Sequence, residues 1–251
     1  MSWNKGKTTE YGWVKIDMQT GIEELSGVMD RLLGEGGCPW DREQTHTSLK
    51  EFLIEECYEV LDAIDRDNTE DMCEELGDVL LQVMFHAKLA EQAGRFNFDD
   101  VARRVSLKMI SRHPHIFGNA TADTPEAVLQ NWEAIKREEK QHETILDSIR
   151  AVPKNLPALM YARKVVKKSL KMEEKHFSKR ETADMLESLA QCLRSQSENE
   201  SDLKMENIGE ILLQIAYLSA IMQINPELSL TNAVETYINK LEDFERPRGT
   251  E

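Results

Sequence analysis

The chain has 251 residues, with 46 Asp and Glu against 31 Lys and Arg, and a formal net charge of −15 at pH 7. This charge argues against a nucleic-acid-binding protein, because contacts to a phosphate backbone need a basic face, but a free nucleotide needs only a few local cations and a metal. With only 12 Gly, 7 Pro and no sustained strand-like alternation, the chain is predicted to be all-α, as one large or two small domains.

Residues 1–19 are predicted to be an N-terminal extension. They carry several charged side chains and lack the apolar core of a signal peptide, and no stretch of about 18 apolar residues occurs in the chain. We therefore expect a cytoplasmic protein.

The four cysteines form no C-x-x-C pair, which is the usual spacing of redox and zinc sites. They are Cys38, Cys57, Cys73 and Cys192. Because Cys57 falls on an apolar stripe, we expect reduced packing residues rather than disulfides or zinc ligands.

Apolar periodicity predicts nine helices. They cover residues 20–33, 48–66, 69–93, 99–112, 125–142, 157–174, 181–196, 205–224 and 229–245. Ser48 and Glu51 form a candidate capping box at the start of the second helix.

Acidic residues interrupt the apolar stripe of the second predicted helix. At about 100° per residue the stripe consists of Leu49, Leu53, Cys57, Val60 and Ile64. Glu56 falls inside its edge, Glu59 lies beside Phe52, and Glu55 is further round the helix. Glu56 and Glu59 are therefore predicted to face a partner helix, whereas Glu55 and Asp62 fit a solvated face equally well.

The third predicted helix is apolar nearly all the way round, which is typical of a helix buried between others. A single polar stripe interrupts it and consists of Asp71, Glu75, Asp78, Gln82 and His86. Packing this stripe against Glu56 and Glu59 would crowd four carboxylates together. Such a group takes up protons or binds a cation, because unpaired buried carboxylates are unfavourable.

The ligand chemistry of the four carboxylates favours a hard cation. With oxygen ligands and no His or Cys at ligand spacing, Mg²⁺ or Mn²⁺ is favoured over Zn²⁺. Mg²⁺ in proteins commonly shares its coordination positions with water and substrate phosphates. The sequence therefore predicts phosphate chemistry, and the absence of G-x-x-x-x-G-K-[ST] excludes a P-loop.

Glu55-Glu56-x-x-Glu59 followed by Glu75-x-x-Asp78 resembles the signature of the all-α nucleoside triphosphate pyrophosphohydrolases, and the surrounding segments resemble the MazG family. Those segments are Cys38-Pro39-Trp40-Asp41, Gln44-Thr45, Gly94-Arg95-Phe96, Arg112-His113-Pro114-His115-Ile116-Phe117-Gly118 and Asn131-Trp132-Glu133 with Lys136. The resemblance is close over residues 20–140 and loose elsewhere. It implies hydrolysis of NTPs and dNTPs to monophosphate and pyrophosphate, and a role in nucleotide-pool housecleaning.

Five acids are the candidate catalytic residues of this reaction. Glu56, Glu59, Glu75 and Asp78 are expected to hold Mg²⁺, with Mn²⁺ as a substitute, while Glu55 orients or deprotonates the attacking water. No covalent intermediate is required.

Candidate substrate-binding residues are Trp40, Lys108, Arg112 and Lys136. Lys108 and Arg112 follow Arg104 at i+4 spacing on one helix face, where they could neutralise phosphate oxygens. Lys136 matches a family position but also fits a surface ion pair. Trp40 could stack on a base or simply pack.

The histidines and Asp41 are assigned structural roles. Asp41 fits a cap or turn position. His86 is expected to make hydrogen bonds in the core rather than bind metal, and His113 and His115 are expected to stabilise a turn rather than transfer protons.

The two halves of the chain align without a gap at an offset of 132 residues, so that Gly77 falls on Gly209 and Gln82 on Gln214. Of the five acids only two have an acidic counterpart, Glu187 and Glu210. We expect a catalytic MazG-like module at 20–143, a linker at 144–156 and a degenerate MazG-like module at 157–246.

Three further expectations concern alternatives and assembly. A di-iron bundle is disfavoured, because Glu-x-x-His is absent at these acids. A regulatory or scaffold protein that binds nucleotide without turnover is the alternative to an enzyme. The third helix needs more neighbours than one module supplies and the related family builds its core by dimerisation, so a homodimer is predicted. The sequence does not specify base or sugar preference.

Overall fold

A computed structural model describes residues 21–140, 144–170, 178–195 and 205–245. Every regular element in these ranges is a helix, which confirms the all-α class. The helices are α1 (Gly21–Leu33), α2 (Pro39–Arg42), α3 (Leu49–Asp65), α4 (Thr69–Gln92), α5 (Phe98–Arg112), α6 (Pro114–Phe117), α7 (Pro125–Lys140), α8 (Ile145–Arg150), α9 (Ala158–Ser169), α10 (Lys179–Ser195), α11 (Met205–Ile221) and α12 (Pro226–Glu245).

All nine predicted helices are present, with ends that differ by a few residues. The predicted extension 1–19 and the predicted helical positions 20, 141–142, 171–174 and 196 lie outside the described residues. Three short helices were not predicted, namely α2, α6 and α8. Pro39 and Pro114 start two of them, and a capping box between Thr144 and Asp147 starts the third. Helices this short carry no periodic signal, so only their first residues could indicate them.

The capping box predicted at Ser48 is wrong. Ser48 already has helical backbone angles (φ −65°, ψ −32°), and its side chain caps no amide of α3. The reciprocal bonds lie one turn earlier, where the Thr45 amide donates to Ser48 Oγ (2.9 Å) and the Ser48 amide donates to Thr45 Oγ1 (3.1 Å). The chain enters its helical conformation before α3 begins, so the capping residue is displaced toward the N-terminus.

Helices α3 and α4 pack against each other as a hairpin that positions the acidic residues. Arg66 closes the hairpin through ion pairs with Asp62 (2.8 Å) and Asp71 (2.7 Å). Asn68 caps α4 by accepting hydrogen bonds from the amides of Glu70 and Asp71. The tight connection fixes how residues of α3 face residues of α4.

A small apolar core holds this hairpin against α1. Its buried members are Met29, Leu33, Leu49, Met84 and Phe85. The buried ammonium of Lys88 on α4 reaches Asp30 on α1 at 2.6 Å and reinforces the same interface. Removing any of the larger core side chains would cost about 2–5 kcal/mol of folding free energy.

Burial of α4 and α3 is less complete than predicted. The buried residues of α4 all lie between Gln82 and Ala90, whereas Leu76 is half exposed. On α3, Cys57 and Ile64 are exposed. The prediction that Cys57 is a packing residue is therefore wrong for a single copy of the chain. The reason is that α4 covers only one side of α3.

The chain divides into a first unit, residues 1–132, and a second unit, residues 133–251. The division falls inside α7, and the predicted linker contains α8. In the first unit α4 packs on α1, α3 and α5; in the second, α11 packs on α9, α10 and α12. The predicted duplication is consistent with this recurring arrangement and stays a prediction.

In the described part of the chain, no single helix has both the length and the apolarity needed to cross a membrane. One pair of segments has the required length and apolarity only when its two members are taken together, namely Ile208–Ile221 and Pro226–Leu241. The chain bends by 108° at the break between these two segments.

Candidate active site

Three carboxylates from the α3–α4 hairpin converge at one point. Glu56 comes from α3, and Glu75 and Asp78 come from successive turns of α4. Each offers an oxygen atom, and these oxygens lie within 4.8 Å of one another. All three side chains are half-buried. The predicted meeting of the two acidic helix faces is therefore found in the structure.

Glu59 belongs to the same group of side chains. Its carboxyl helps to raise the pKa of Glu56 and of Glu75, through its charge and through a side-chain hydrogen bond, although Glu59 itself is exposed. Two carboxyl groups can share a hydrogen bond only when one of them carries a proton. The oxygens of Glu56, Glu75 and Asp78 thus converge with Glu59 beside them, and we call Glu56, Glu59, Glu75 and Asp78 the acidic cluster.

The acidic cluster opposes its own ionisation. Partial burial, the hydrogen bond with Glu59 and the charges of Asp78, Glu59 and Glu75 together raise the pKa of Glu56 from 4.5 to about 7. Partial burial and the neighbouring carboxylates, Glu59 first, also raise the pKa of Glu75. Near neutral pH the cluster therefore retains protons that a cation would displace.

The donor set fits a hard divalent cation. The cluster offers carboxylate oxygens alone, and their mutual repulsion is what a bound cation would relieve. Among the described residues the group that could hold a cation contains no histidine. His86 Nδ1 lies 2.9 Å from His46 Nδ1, which agrees with the expected hydrogen bond, and the expectation that His86 does not bind metal stays a prediction.

Glu55 and Asp62 lie outside the acidic cluster. Glu55 is exposed on α3, and Asp62 forms its ion pair with Arg66 on the surface. The sequence left open whether Asp62 lies on a solvated face with a basic partner. The structure shows that arrangement, because Asp62 is exposed and pairs with Arg66. The role expected for Glu55 in water activation stays a prediction.

Trp40 lies close to the acidic cluster through Phe52. The two rings meet edge to face, with centroids 5.8 Å apart and planes at 73°, and Phe52 precedes Glu56 by one helical turn. Over half of the Trp40 surface, 55%, remains exposed. Part of the Trp40 ring therefore packs while the rest is open to solvent.

The loop before Trp40 bends sharply. Gly36 has φ +73°, a conformation that favours glycine. A Cβ atom on Gly37 would overlap the carbonyl oxygen of Leu32. Asp41 lies in the first turn of α2, which agrees with its expected cap or turn role.

The three basic residues of α5 do not form a single exposed face. Arg104 and Lys108 are exposed, but Arg112 is buried and its guanidinium lies 5.2 Å from the ring centroid of Trp132. This geometry is that of a cation–π contact. Arg112 is therefore not part of a solvated basic face, and the expected contact of Lys108 and Arg112 with phosphate oxygens stays a prediction.

His113 has the structural role expected of it. Its Nδ1 lies 2.6 Å from the Met109 carbonyl oxygen at the end of α5. His115 Nδ1 is buried and, among the described residues, has no hydrogen-bond partner. Lys136 is exposed on α7 in the second unit, so its predicted contact with substrate stays a prediction.

The sequence placed Gln82 on the polar stripe and Trp132 in a segment that resembles the family but indicated a role for neither, and it did not single out His46. Gln82 follows Asp78 by one turn and is buried, and no described donor reaches its Oε1 atom. The position of Gln82 on the polar stripe was the sequence feature that could have indicated its place beside the acidic cluster. His46 carried no signal, because its partner His86 lies 40 residues away in the chain.

Comparison with known proteins agrees with this geometry. Residues 44–117, which contain all five predicted acids, match the model of the MazG nucleotide pyrophosphohydrolase domain. The chain is 38% identical over 225 residues to a Thermotoga maritima protein named nucleoside triphosphate pyrophosphohydrolase/pyrophosphatase MazG, covering 89% of this chain and 85% of that one. It is 34% identical over 236 residues to an Escherichia coli K12 protein named nucleoside triphosphate pyrophosphohydrolase, covering 90% and 87%.

A third relative matches a shorter part of the chain. It is the uncharacterized protein YabN of Bacillus subtilis, 51% identical over 142 residues, which cover 56% of this chain and 28% of that protein. Fold, acidic cluster and relatives define an all-α domain of the nucleotide pyrophosphohydrolase class. The chain belongs to the MazG family, a metal-dependent family.

Replacing Glu56 with Gln should stabilise the metal-free protein at alkaline pH. Because the pKa of Glu56 is higher in the folded state, about 7, than the usual 4.5, its neutral form favours folding. That contribution is fully present below pH 4.5 and is lost as the pH rises through about 7. Gln imitates the neutral form, so Glu56→Gln should gain about 1 kcal/mol near pH 8, after discounting for solvent screening, and almost nothing near pH 5.

Urea denaturation in EDTA at the two pH values measures this difference. The matched control is Glu55→Gln, which removes a neighbouring exposed acid outside the acidic cluster. A loss of stability at alkaline pH for Glu56→Gln would contradict the repulsion described here.

Proposed function

We propose that this protein hydrolyses nucleoside triphosphates, NTPs and dNTPs, to the nucleoside monophosphate and pyrophosphate in a Mg²⁺-dependent reaction. The observation that carries the proposal is the acidic cluster, which lies within the region that matches the MazG domain model. The relatives named nucleoside triphosphate pyrophosphohydrolase support the reaction.

Glu56, Glu59, Glu75 and Asp78 are the residues proposed to hold Mg²⁺, with Mn²⁺ as a substitute. When bound, a divalent cation neutralises phosphate oxygens and stabilises the charge that develops in the transition state. The raised pKa of Glu56 means that this side chain must release its proton before it can serve as a ligand.

Glu55 is proposed to orient the attacking water. It is exposed one residue before Glu56, and it takes no part in the acidic cluster. A carboxylate outside the cluster is free to accept a hydrogen bond from water, whereas those inside it already contact one another. Glu55 would thus position the water or accept its proton.

Lys108, Arg112, Lys136 and Trp40 are the proposed substrate-binding residues. Lys108 is exposed and can reach phosphate oxygens, while the buried Arg112 would act with Trp132, whose ring it already contacts. The open surface of Trp40 suits stacking on a base. Stacking discriminates poorly between bases, which supports a broad housecleaning activity in the nucleotide pool.

The second module, residues 157–246, is proposed to be a degenerate copy of the first at 20–143, joined to it by 144–156. At the position equivalent to Asp78 it has Glu210, which accepts a hydrogen bond from Gln214 at 2.8 Å. The positions equivalent to Glu56 and Glu59 are Ser188 and Gln191. Catalysis is therefore assigned to the first module.

A cytoplasmic location and a homodimer complete the proposal. The exposed apolar residues of the first unit, such as Ile54 and Tyr58 on α3 and Leu76 on α4, support a partner subunit that covers this side of the hairpin. The alternative to an enzyme is a regulatory or scaffold protein that binds nucleotide without turnover.

Chromatography of the products formed from a panel of NTPs and dNTPs tests the reaction. With Mg²⁺ we expect monophosphate and pyrophosphate, and with EDTA we expect neither, because the cluster would lack its cation. Diphosphate and phosphate would indicate a different phosphohydrolase. Nucleotide binding without any product would favour the regulatory alternative.

Asp78→Asn should lower kcat/KM by at least about 100-fold, because it removes a charged ligand from the acidic cluster. The matched control is Glu210→Gln at the equivalent position of the second module, which should stay within about twofold of the wild type. Steady-state pyrophosphate release measures both. Equal losses in the two variants would argue against assigning catalysis to the first module.

Light scattering after gel filtration measures the assembly. A homodimer should give a mass near twice the 28.9 kDa of one chain. A mass near 28.9 kDa would contradict the dimer and leave the apolar side of α3 uncovered.

A further inference from the structure

His46 and His86 form a histidine pair that ties the segment before α3 to α4. Their Nδ1 atoms are 2.9 Å apart, their ring centres are 5.2 Å apart, and their planes differ by 11°. The centre separation equals the N···N distance plus the centre-to-atom distance of each ring, so both nitrogens lie on the line between the centres. Because an imidazole lone pair lies in the ring plane, this is an in-plane N–H···N hydrogen bond rather than stacking.

The hydrogen bond requires the two rings to differ in protonation. One Nδ1 must carry the hydrogen and the other must offer its lone pair, so the neutral rings hold opposite tautomers. Partial burial, with His46 as the second cause, lowers the pKa of His86. The neutral form of His86, which the hydrogen bond needs, is therefore favoured.

A chain of hydrogen bonds links this pair to Trp40. Thr45, next to His46, exchanges backbone and side-chain bonds with Ser48. Ser48 Oγ donates to Gln44 Oε1 at 2.7 Å, and Gln44 Nε2 donates to the Trp40 carbonyl oxygen at 3.0 Å. The pair thus anchors one end of the segment that carries the tryptophan.

The other end of the segment is attached to α1, where the Cys38 amide donates to the Leu32 carbonyl oxygen at 2.9 Å. Between these attachments the Trp40 ring packs against Phe52, which lies one turn before Glu56. His86 follows Asp78 by eight residues on the polar stripe of α4, about 12 Å along the helix axis. The histidine pair is therefore too far from the acidic cluster to act on the reacting phosphate, but it supports the segment beside it.

We propose that His46 and His86 are positioning residues that hold Trp40 where its open face receives the nucleoside part of the substrate. The inference rests on the proposed function, because it assumes that a nucleotide binds at the acidic cluster. The hydrogen bond reduces the freedom of the Trp40 segment before binding, which lowers the entropic cost of ordering it on the substrate. Neither imidazole needs to contact the substrate.

NMR on the ¹⁵N-histidine-labelled full chain tests the hydrogen bond directly. We expect a scalar coupling between the two Nδ1 nuclei and a downfield, exchange-protected imidazole proton, both absent in His86→Phe. Absence of the coupling in the wild type at neutral pH would overturn the pair. The NMR measurement needs no substrate, so it tests the hydrogen bond even if the wild-type protein shows no turnover. Absence of turnover would contradict the proposed function but not the hydrogen bond between the two histidines.

Kinetics of His86→Phe test the positioning role. We expect KM for ATP to rise about fivefold, the effect of losing one hydrogen bond, with kcat within about twofold. His86→Asn, which keeps a hydrogen-bonding atom near the position of Nδ1, should recover most of the loss. A fall in kcat with unchanged KM would overturn the assignment.

A double-mutant cycle with Trp40→Ala separates positioning from general stability. If the pair acts through Trp40, His86→Phe should have no further effect on KM once the ring is removed. The matched control is Lys88→Met, which removes the ion pair to Asp30 from the same helix. It should lower the midpoint of thermal unfolding and leave KM within about twofold in both backgrounds. Additive effects of His86→Phe and Trp40→Ala, or a rise in KM for Lys88→Met equal to that for His86→Phe, would overturn the proposal.

Discussion

Repulsion among four carboxylates across the α3–α4 hairpin is the constraint on which the rest of this structure depends. The neighbouring carboxylates raise the cost of ionising Glu56 and Glu75, so the charged cluster opposes its own assembly. Apolar packing elsewhere holds the helices in place, with Leu49 on one and Met84 and Phe85 on the other. The carboxylates of the acidic cluster therefore lower the folding stability of the hairpin, and apolar packing a few turns away compensates for that loss. Such a compromise is common at binding sites that are formed before the ligand binds.

The sequence predicted the helices and the acidic cluster because both depend on short-range periodicity. Glu56 on one helix and Glu75 and Asp78 on the next share faces that follow from 3.6 residues per turn alone. Once the two helices form a hairpin, the faces must meet. The family resemblance then supplied the reaction, which carboxylate spacing by itself does not determine.

The features that the sequence did not predict depend on neighbours distant in the chain. The cover over Arg112 comes from Trp132 on another helix, and the partner of His46 lies 40 residues away. Exposure of Cys57 depends on how many helices surround α3, which no periodicity within α3 can report. The short helix α2 was not predicted, because its four residues are too few to show a period of 3.6 residues.

The hydrogen bond between Gln214 and Glu210 places a structural constraint on one carboxylate of the second unit. In the first unit the amide oxygen of Gln82 is buried without a described partner, while the shorter Asp78 one turn earlier points into the acidic cluster. In the second unit the carboxylate has one more methylene and accepts a hydrogen bond from the amide of the equivalent glutamine. A buried amide that has found a partner resists losing it, because an unsatisfied polar group is costly. A change at Glu210 that removed this bond would leave the buried Gln214 amide without that acceptor, so folding stability constrains this carboxylate independently of any bound ligand.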